Sequence, residues 1–219
     1  MRACRPARRF LVILPATFAA VAVAGCAIGD DGARTTQARA VAGFTRIDNR
    51  DSVDVRLHVG APQAVRVLAG KKVIDDVRTE VRDGTLYLTF DHHGFGGRDV
   101  VVEASVPKLT GIQASGSGDI DADGIDADAI EVRSDGSSDI ALAGKVGRLA
   151  LDLDGSGDAD LAGLAAGDAR VTAGGSGDVD VRADHRLDID LRGSGDVRYH
   201  GHPALTRHVD GSGDLSRAQ

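Results

Sequence analysis

The motif GSGD begins at Gly116, Gly155, Gly175, Gly193 and Gly211, and a variant, GSSD, begins at Gly136. The first glycines are separated by 20, 19, 20, 18 and 18 residues. A period of that length, kept over six units, belongs to stacked coils, in which each short unit can bury its apolar side chains only against its neighbours.

The residues around the motif support this reading. Counting from the first glycine of each unit, offset −6 holds Ile130, Leu149, Ala169, Leu187 and Leu205, and offset −4 holds Val132, Leu151, Val171, Ile189 and Arg207. Offset +4 holds Ile120, Ile140, Ala159, Val179, Val197 and Leu215, and offset +6 holds Ala122, Leu142, Leu161, Val181, Tyr199 and Arg217. Alternation with a period of two means β-strand. The sequence therefore predicts a long bent strand centred on each motif, its even offsets facing the core. Both glycines would sit on the inward face, where glycine accepts a bend and a close approach of neighbouring backbone. The 3% aromatic content suits a narrow interior. The fold class expected is all-β, a right-handed parallel β-helix or solenoid with coils of about 18–20 residues.

The odd offsets then face water and form two ladders. One holds Ser117, Ser137, Ser156, Ser176, Ser194 and Ser212; the other holds Asp119, Asp139, Asp158, Asp178, Asp196 and Asp214. Coils in register lie about 4.8 Å apart, so neighbouring carboxylates repel by roughly 1 kcal/mol in water and several times that near a protein surface. Three arrangements can offset this repulsion. The acids and serines can bond backbone amides at the corner, as in Asx and ST turns; calcium can be shared between coils; or mobile counterions can screen the ladder. The motif is similar to the GGxGxD of calcium-binding β-rolls, but Gly174-Gly175-Ser176-Gly177-Asp178 places its acid one residue early. The ladder is read as structural, with no cofactor expected, and calcium is the alternative.

Residues 43–113 lack the period but remain strand-like. "SVDVRLHV", "AVRVLAG" and "DVVVEASVP" alternate, "TEVRDGTLYLTF" carries the hairpin signal Asp83-Gly84, and "KKVIDDV" suits one helical turn. At the other end, Arg207 and Arg217 put charge into the inward columns and guard the last coil against edge-to-edge pairing.

The N-terminus addresses the chain. Arg2, Arg5, Arg8 and Arg9 precede an apolar run from Phe10 to Ala24 that Pro15 interrupts, too short for the roughly 20 residues of a spanning helix. This reads as an export signal over residues 1–25. Val23-Ala24-Gly25-Cys26 resembles the bacterial lipobox, which implies lipidation at Cys26, and Ala27 in the next position implies outer-membrane sorting. Residues 26–42 read as a lipidated flexible tether. Residues 43–219 read as a single domain, with a β-rich first part to 113 and the GSGD coils over 114–219. Cleavage removes four arginines and no acid, so the formal charge moves from −7 to −11. That balance disfavours nucleic acid as a partner.

No single catalytic constellation stands out. His200, His202 and His208, and the pair His92-His93, lack the spacing of a metal or catalytic motif, and no GxSxG or Walker loop is present. A ladder repeated over six units suits a surface, whereas catalysis needs one differentiated site.

The segments "GFTRIDNRDSVDVRL" at 43, "VIDDVRTEVRDGTLYLTF" at 73 and "VVVEASVPKLTGIQASGSGDI" at 100, followed by the GSGD units, resemble the auto-transporter adhesin head GIN domain family. The resemblance implies an envelope protein with a β-helical fold and brings no catalytic residues. The function expected is that of a lipid-anchored, non-enzymatic binding, adhesion or structural module. Its partners would be the membrane through the lipid, an envelope glycan or protein, or a second copy. A calcium-stabilised structural module and a carbohydrate-active β-helix enzyme are the alternatives.

Overall fold

A computed structural model of the chain describes residues 34–91 and 100–218. The export segment, Cys26 and His92-His93 lie outside the described residues. In chain order the strands are β1 (Arg34–Ala38), β2 (Arg46–Asn49), β3 (Asp54–Val59), β4 (Ala64–Gly70), β5 (Val77–Arg82), β6 (Thr85–Phe90) and β7 (Val101–Val106). They continue with β8 (Gly111–Ala114), β9 (Ile120–Ser134), β10 (Ile140–Leu153), β11 (Ala159–Ala173) and β12 (Val179–Leu191). The last are β13 (Val197–His200), β14 (Ala204–Val209) and β15 (Leu215–Arg217). The helical turn expected at "KKVIDDV" is a 3-10 turn at Ile74–Asp76, and no α-helix occurs among the described residues.

Parallel pairing builds a solenoid with two strand layers. The first layer runs β6, β2, β8, then the C-terminal halves of β9, β10, β11 and β12, and ends at β14. The second runs β7, β3, the N-terminal halves of β9 to β12, then β13 and β15. Strands β9 to β12 belong to both layers because each bends midway. The even-offset columns point into the space between the layers, as their alternation requires. Ile120, Ile140, Ala159, Val179 and Val197 are all buried, as are Ile130, Leu149, Ala169 and Leu187. Each fully buried Leu, Ile or Val contributes about 1.5–3 kcal/mol relative to an exposed one. The columns open only at the far end, where Arg207 and Arg217 are exposed.

The hydrogen-bonded strand is placed differently from the one the alternation suggested. The long strands run from one GSGD corner to the next, and the motif is the break between them. Side-chain parity survives the corner although strand pairing does not, so a pattern of alternation alone reads straight through it. The second bend, inside the long strands, absorbs differences in coil length. Ala159–Leu161 pair with Val179–Val181, but the next partners are Ala165 and Arg182, so the 20-residue coil bulges there against its 18-residue neighbour. Gly124 (φ 70°) and Gly144 (φ 139°) supply the left-handed backbone at this bend in β9 and β10.

The parallel stack also begins earlier than the periodic motif. The coil formed by β2 and β3, first in sequence, is second in space: β2 lies between β6 and β8, and β3 between β7 and β9. The chain leaves this coil, forms β4 and the hairpin of β5 and β6, lays the outermost coil, and then passes over the first coil to β8. The hairpin turns at Asp83 (φ 49°) and Gly84 (φ 71°), as its sequence predicts. Antiparallel strands close this end, β5 on β6 and β4 on β7.

Part of the expected tether is folded. Arg34–Ala38 form β1, antiparallel to β4, with Arg34 opposite Gly70 and Ala38 opposite Arg66. The polar composition of this segment is that of a linker, but pairing along an edge uses backbone groups and needs no apolar side chain. Without β1, β4 would present an open edge.

Candidate functional site

Each GSGD corner is hydrogen-bonded to the corner below it along the stack. The amide of each motif serine donates to the carbonyl of the first glycine one coil earlier: Ser137 to Gly116, Ser156 to Gly136, Ser176 to Gly155 and Ser194 to Gly175, each at 3.0 Å, and Ser212 to Gly193 at 3.1 Å. The aspartates form a second rail. The carboxylate Oδ1 of Asp119 accepts the amide of Asp139 at 3.1 Å, Asp139 that of Asp158 at 2.8 Å, and Asp158 that of Asp178 at 2.8 Å. Asp178 accepts from Asp196 at 2.7 Å, and Asp196 from Asp214 at 2.8 Å. The carboxylates thus accept corner amides, and each amide belongs to the next coil rather than to the same turn. The repulsion between stacked carboxylates is met by one charge-assisted bond per coil.

The glycines serve the same rail. At Gly116, Gly136, Gly155, Gly175, Gly193 and Gly211, an added Cβ would lie 1.8–2.2 Å from a carbonyl oxygen of the coil below. The same holds at Gly118, Gly157, Gly177, Gly195 and Gly213, at 2.0–2.2 Å. Such a Cβ would point down the stack rather than into the core, and none of these glycines has a left-handed φ. They are required because the coils approach too closely for any side chain, not because the backbone turns in a way only glycine allows.

One rung escaped the sequence pattern. Asp51-Ser52-Val53-Asp54 forms the corner between β2 and β3: Asp54 Oδ1 accepts the Asp119 amide at 3.2 Å, and the Ser52 and Ser117 hydroxyls are 2.8 Å apart. Its glycines are replaced because the coil beneath is different: Asp51 Oδ2 accepts the Phe90 amide at 2.9 Å. The buried Asn49 amide ties this corner to the next, donating to Val53 O at 2.7 Å and Gly118 O at 3.4 Å. The signal available in the sequence was a serine and an acid spaced as in GSGD.

The ladder makes a testable demand. Asp158→Asn and Asp178→Asn keep an acceptor but lose the charge assistance, so each is expected to destabilise the domain by about 0.5–2 kcal/mol, and the alanine variants by more. Asp214 is the control, because its carboxylate accepts no amide among the described residues. Denaturant titration of Asp214→Asn should fall within about 0.5 kcal/mol of the parent. Equal losses at positions 158 and 214 would remove the rail.

The histidines are not assembled. His200 Nε2 lies 2.7 Å from Asp180 Oδ1 beside β13, His202 contacts Arg217, and His208 is exposed on β14 in the other layer. Among the described residues no group of three or more His, Cys, Asp or Glu side chains is placed to hold a metal.

Two open grooves lie on the outer faces of the layers. One, of about 590 Å³, lies on the second layer between Arg56, Arg66, Glu103, Asp121 and Asp160, with Ala141 and Ala143 in its floor. Its charges are partly spent on one another, Arg66 standing 3.7 Å from Glu103 and His58 contacting Asp123. The other, of about 740 Å³, crosses β9 to β12 on the first layer. Ala127, Ala129 and Ala150 floor it, and Lys108, Arg148, Arg170 and Arg186 stand around them.

The family described as "Putative auto-transporter adhesin, head GIN domain" matches residues 43–203. Among curated proteins no relative matches the sequence. Crystal structures of other proteins share the fold. One described as a putative adhesin from Bacteroides fragilis is 21% identical with a TM-score of 0.71, the match covering 85% of this chain and 97% of that one. One described as a putative lipid binding protein from Parabacteroides distasonis is 20% identical with a TM-score of 0.57, covering 86% and 98%. A putative adhesin from Parabacteroides merdae is 16% identical with a TM-score of 0.51, covering 86% and 98%.

Proposed function

Because the chain belongs to the auto-transporter adhesin head GIN domain family, we propose that it is a lipid-anchored, non-enzymatic module of the cell envelope whose solenoid faces bind an envelope glycan or protein. The observation that supports this reading is the commitment of the ladder. From Asp54 to Asp196 the corner carboxylates are spent on amides of the next coil, so the most conspicuous chemistry of the sequence holds the fold together. What the molecule offers to a partner is the outer surface of its two layers. Under this reading the ladder needs no cation, and neither millimolar calcium nor a chelator should shift the melting temperature. A melt raised by calcium but not by magnesium would make the ladder a binding site instead.

Incubation of the full-length chain with a panel of envelope glycans, followed for binding and for cleavage at once, tests the function. Saturable binding without new reducing ends is the expected result. Product formation would establish an enzyme, and an absence of binding to every glycan and envelope protein would leave only a structural role.

The anchor is tested separately. Cys26→Ser removes the thiol that the Val23-Ala24-Gly25-Cys26 segment would present for acylation. The variant should leave the membrane fraction or accumulate as the uncleaved precursor, seen by fractionation and intact mass. Membrane association and mature mass identical to the parent would overturn the lipid anchor.

A further inference from the structure

We propose that the groove across β9 to β12 binds a linear, carboxylate-bearing polysaccharide; this rests on the binding role above and names its site and ligand class. The cations around this groove lack partners among the described residues. Three other arginines of the same layer are neutralised: Arg46 pairs with Glu131 at 3.0 Å, Arg133 with Asp152 at 3.3 Å, and Arg192 with Asp190. Lys108, Arg148, Arg170 and Arg186 make no ion pair or side-chain hydrogen bond among the described residues, and all four are exposed around one groove.

The groove is locally basic on an acidic chain. With Glu131 occupied by Arg46, four cations there face three free carboxylates, Asp128, Asp168 and Asp188, whereas the whole chain carries −7. Arg148, Asp168 and Arg186 occupy one column and Arg170 and Asp188 the next, each pointing outward from its own coil, and no pair forms.

A ligand that suits this set carries carboxylates for the guanidinium forks and hydroxyls for Asp168 and Asp188, which are acceptors. A uronic acid chain offers both. The coil spacing of about 4.8 Å is close to the length of one pyranose unit, so a chain lying across the coils would meet a new row of side chains at each sugar. The alanines Ala127, Ala129 and Ala150 leave a low floor on which a ring can lie. No aromatic side chain lines the groove, so stacking offers a neutral glycan little.

The test is titration calorimetry of the full-length chain with an oligogalacturonate, a neutral galactan oligomer and polyglutamate. The uronate should bind saturably and weaken at least tenfold between low salt and 0.5 M salt, since exposed charges are screened. The R148Q/R170Q/R186Q variant should bind it at least tenfold more weakly, and R56Q, outside the groove, should bind as the parent does. Ala150→Glu should block binding with every arginine in place, which separates loss of the site from loss of the fold. Equal affinity for the neutral oligomer, equal affinity for polyglutamate, or parental binding by the triple variant would overturn the proposal. Failure of the uronate while another envelope glycan binds would overturn this site and leave the binding role standing. Failure of every envelope component would overturn both.

Discussion

Gly175→Ala is expected to destabilise the domain by about 3 kcal/mol or more, while Gly174→Ala, one residue earlier, changes stability by no more than about 0.5 kcal/mol. Both substitutions add one methyl group, and neither glycine has a left-handed φ. They differ in what the methyl would meet. At Gly175 the Cβ would lie 1.8 Å from the carbonyl oxygen of Gly155, and that oxygen is held in place by the Ser176 amide at 3.0 Å. Relief requires two coils to move apart, which breaks the serine rail and the aspartate rail on both sides. At Gly174 the Cβ would meet the Asp154 carboxylate at 2.2 Å, the free end of an exposed side chain, which can rotate away. For a domain of this size each kcal/mol is worth about 2–4 °C, so the melting temperature of Gly175→Ala should fall by about 6 °C or more. Similar melts for the two variants would show that coil spacing adapts and that close approach is not why glycine occupies the corner.

Deleting residues 155–174 should leave a cooperatively folded protein, and deleting residues 155–164 should not. The longer deletion removes one whole coil and joins Asp154 to Gly175, so β10 meets an intact GSGD corner and its columns come to lie against β12. Solenoid stability is nearly a sum of coil and neighbour terms, so the loss is that of one coil and its interface. The shorter deletion removes a corner and its second-layer strand but keeps the following first-layer strand. The Ser176 and Asp178 amides then lose Gly155 O and Asp158 Oδ1, and the inward columns beyond lose their register. Circular dichroism and thermal melts of the two variants decide the matter. Equal loss of the transition in both would mean that the coils do not form an additive stack.

Much of this architecture is legible in the chain because a solenoid repeats its solutions. The columns through Ile120, Ile140 and Val179 could be aligned by counting, and their burial follows from alternation. The Asp83-Gly84 turn was legible for a local reason, since two left-handed residues in succession are tolerated by few pairs. The rung at residues 51–54 was not, because its glycines are absent and a whole coil, β6 to β7, is threaded between it and its neighbour in sequence. β1 was missed for a related reason, as a strand that pairs only along an edge leaves no apolar periodicity. The grooves could not be found from sequence at all, because Arg148, Arg170 and Arg186 are indistinguishable there from the paired Arg133 and Arg192.

The sequence by itself determined the coil, its period, its inward columns and the identity of the corner, because those depend on spacings within one repeat. It also placed an acid and a serine on the outside of every corner. Only the tertiary structure decided that each acid bonds the amide of the next coil, as Asp158 does for Asp178, and that the glycines face a carbonyl rather than the core. It alone decided the order of the first coils and which cations remain unpaired. These are relations between coils, set by register and by a spacing of about 4.8 Å, and no residue records in its own neighbourhood what the stack will place above or below it.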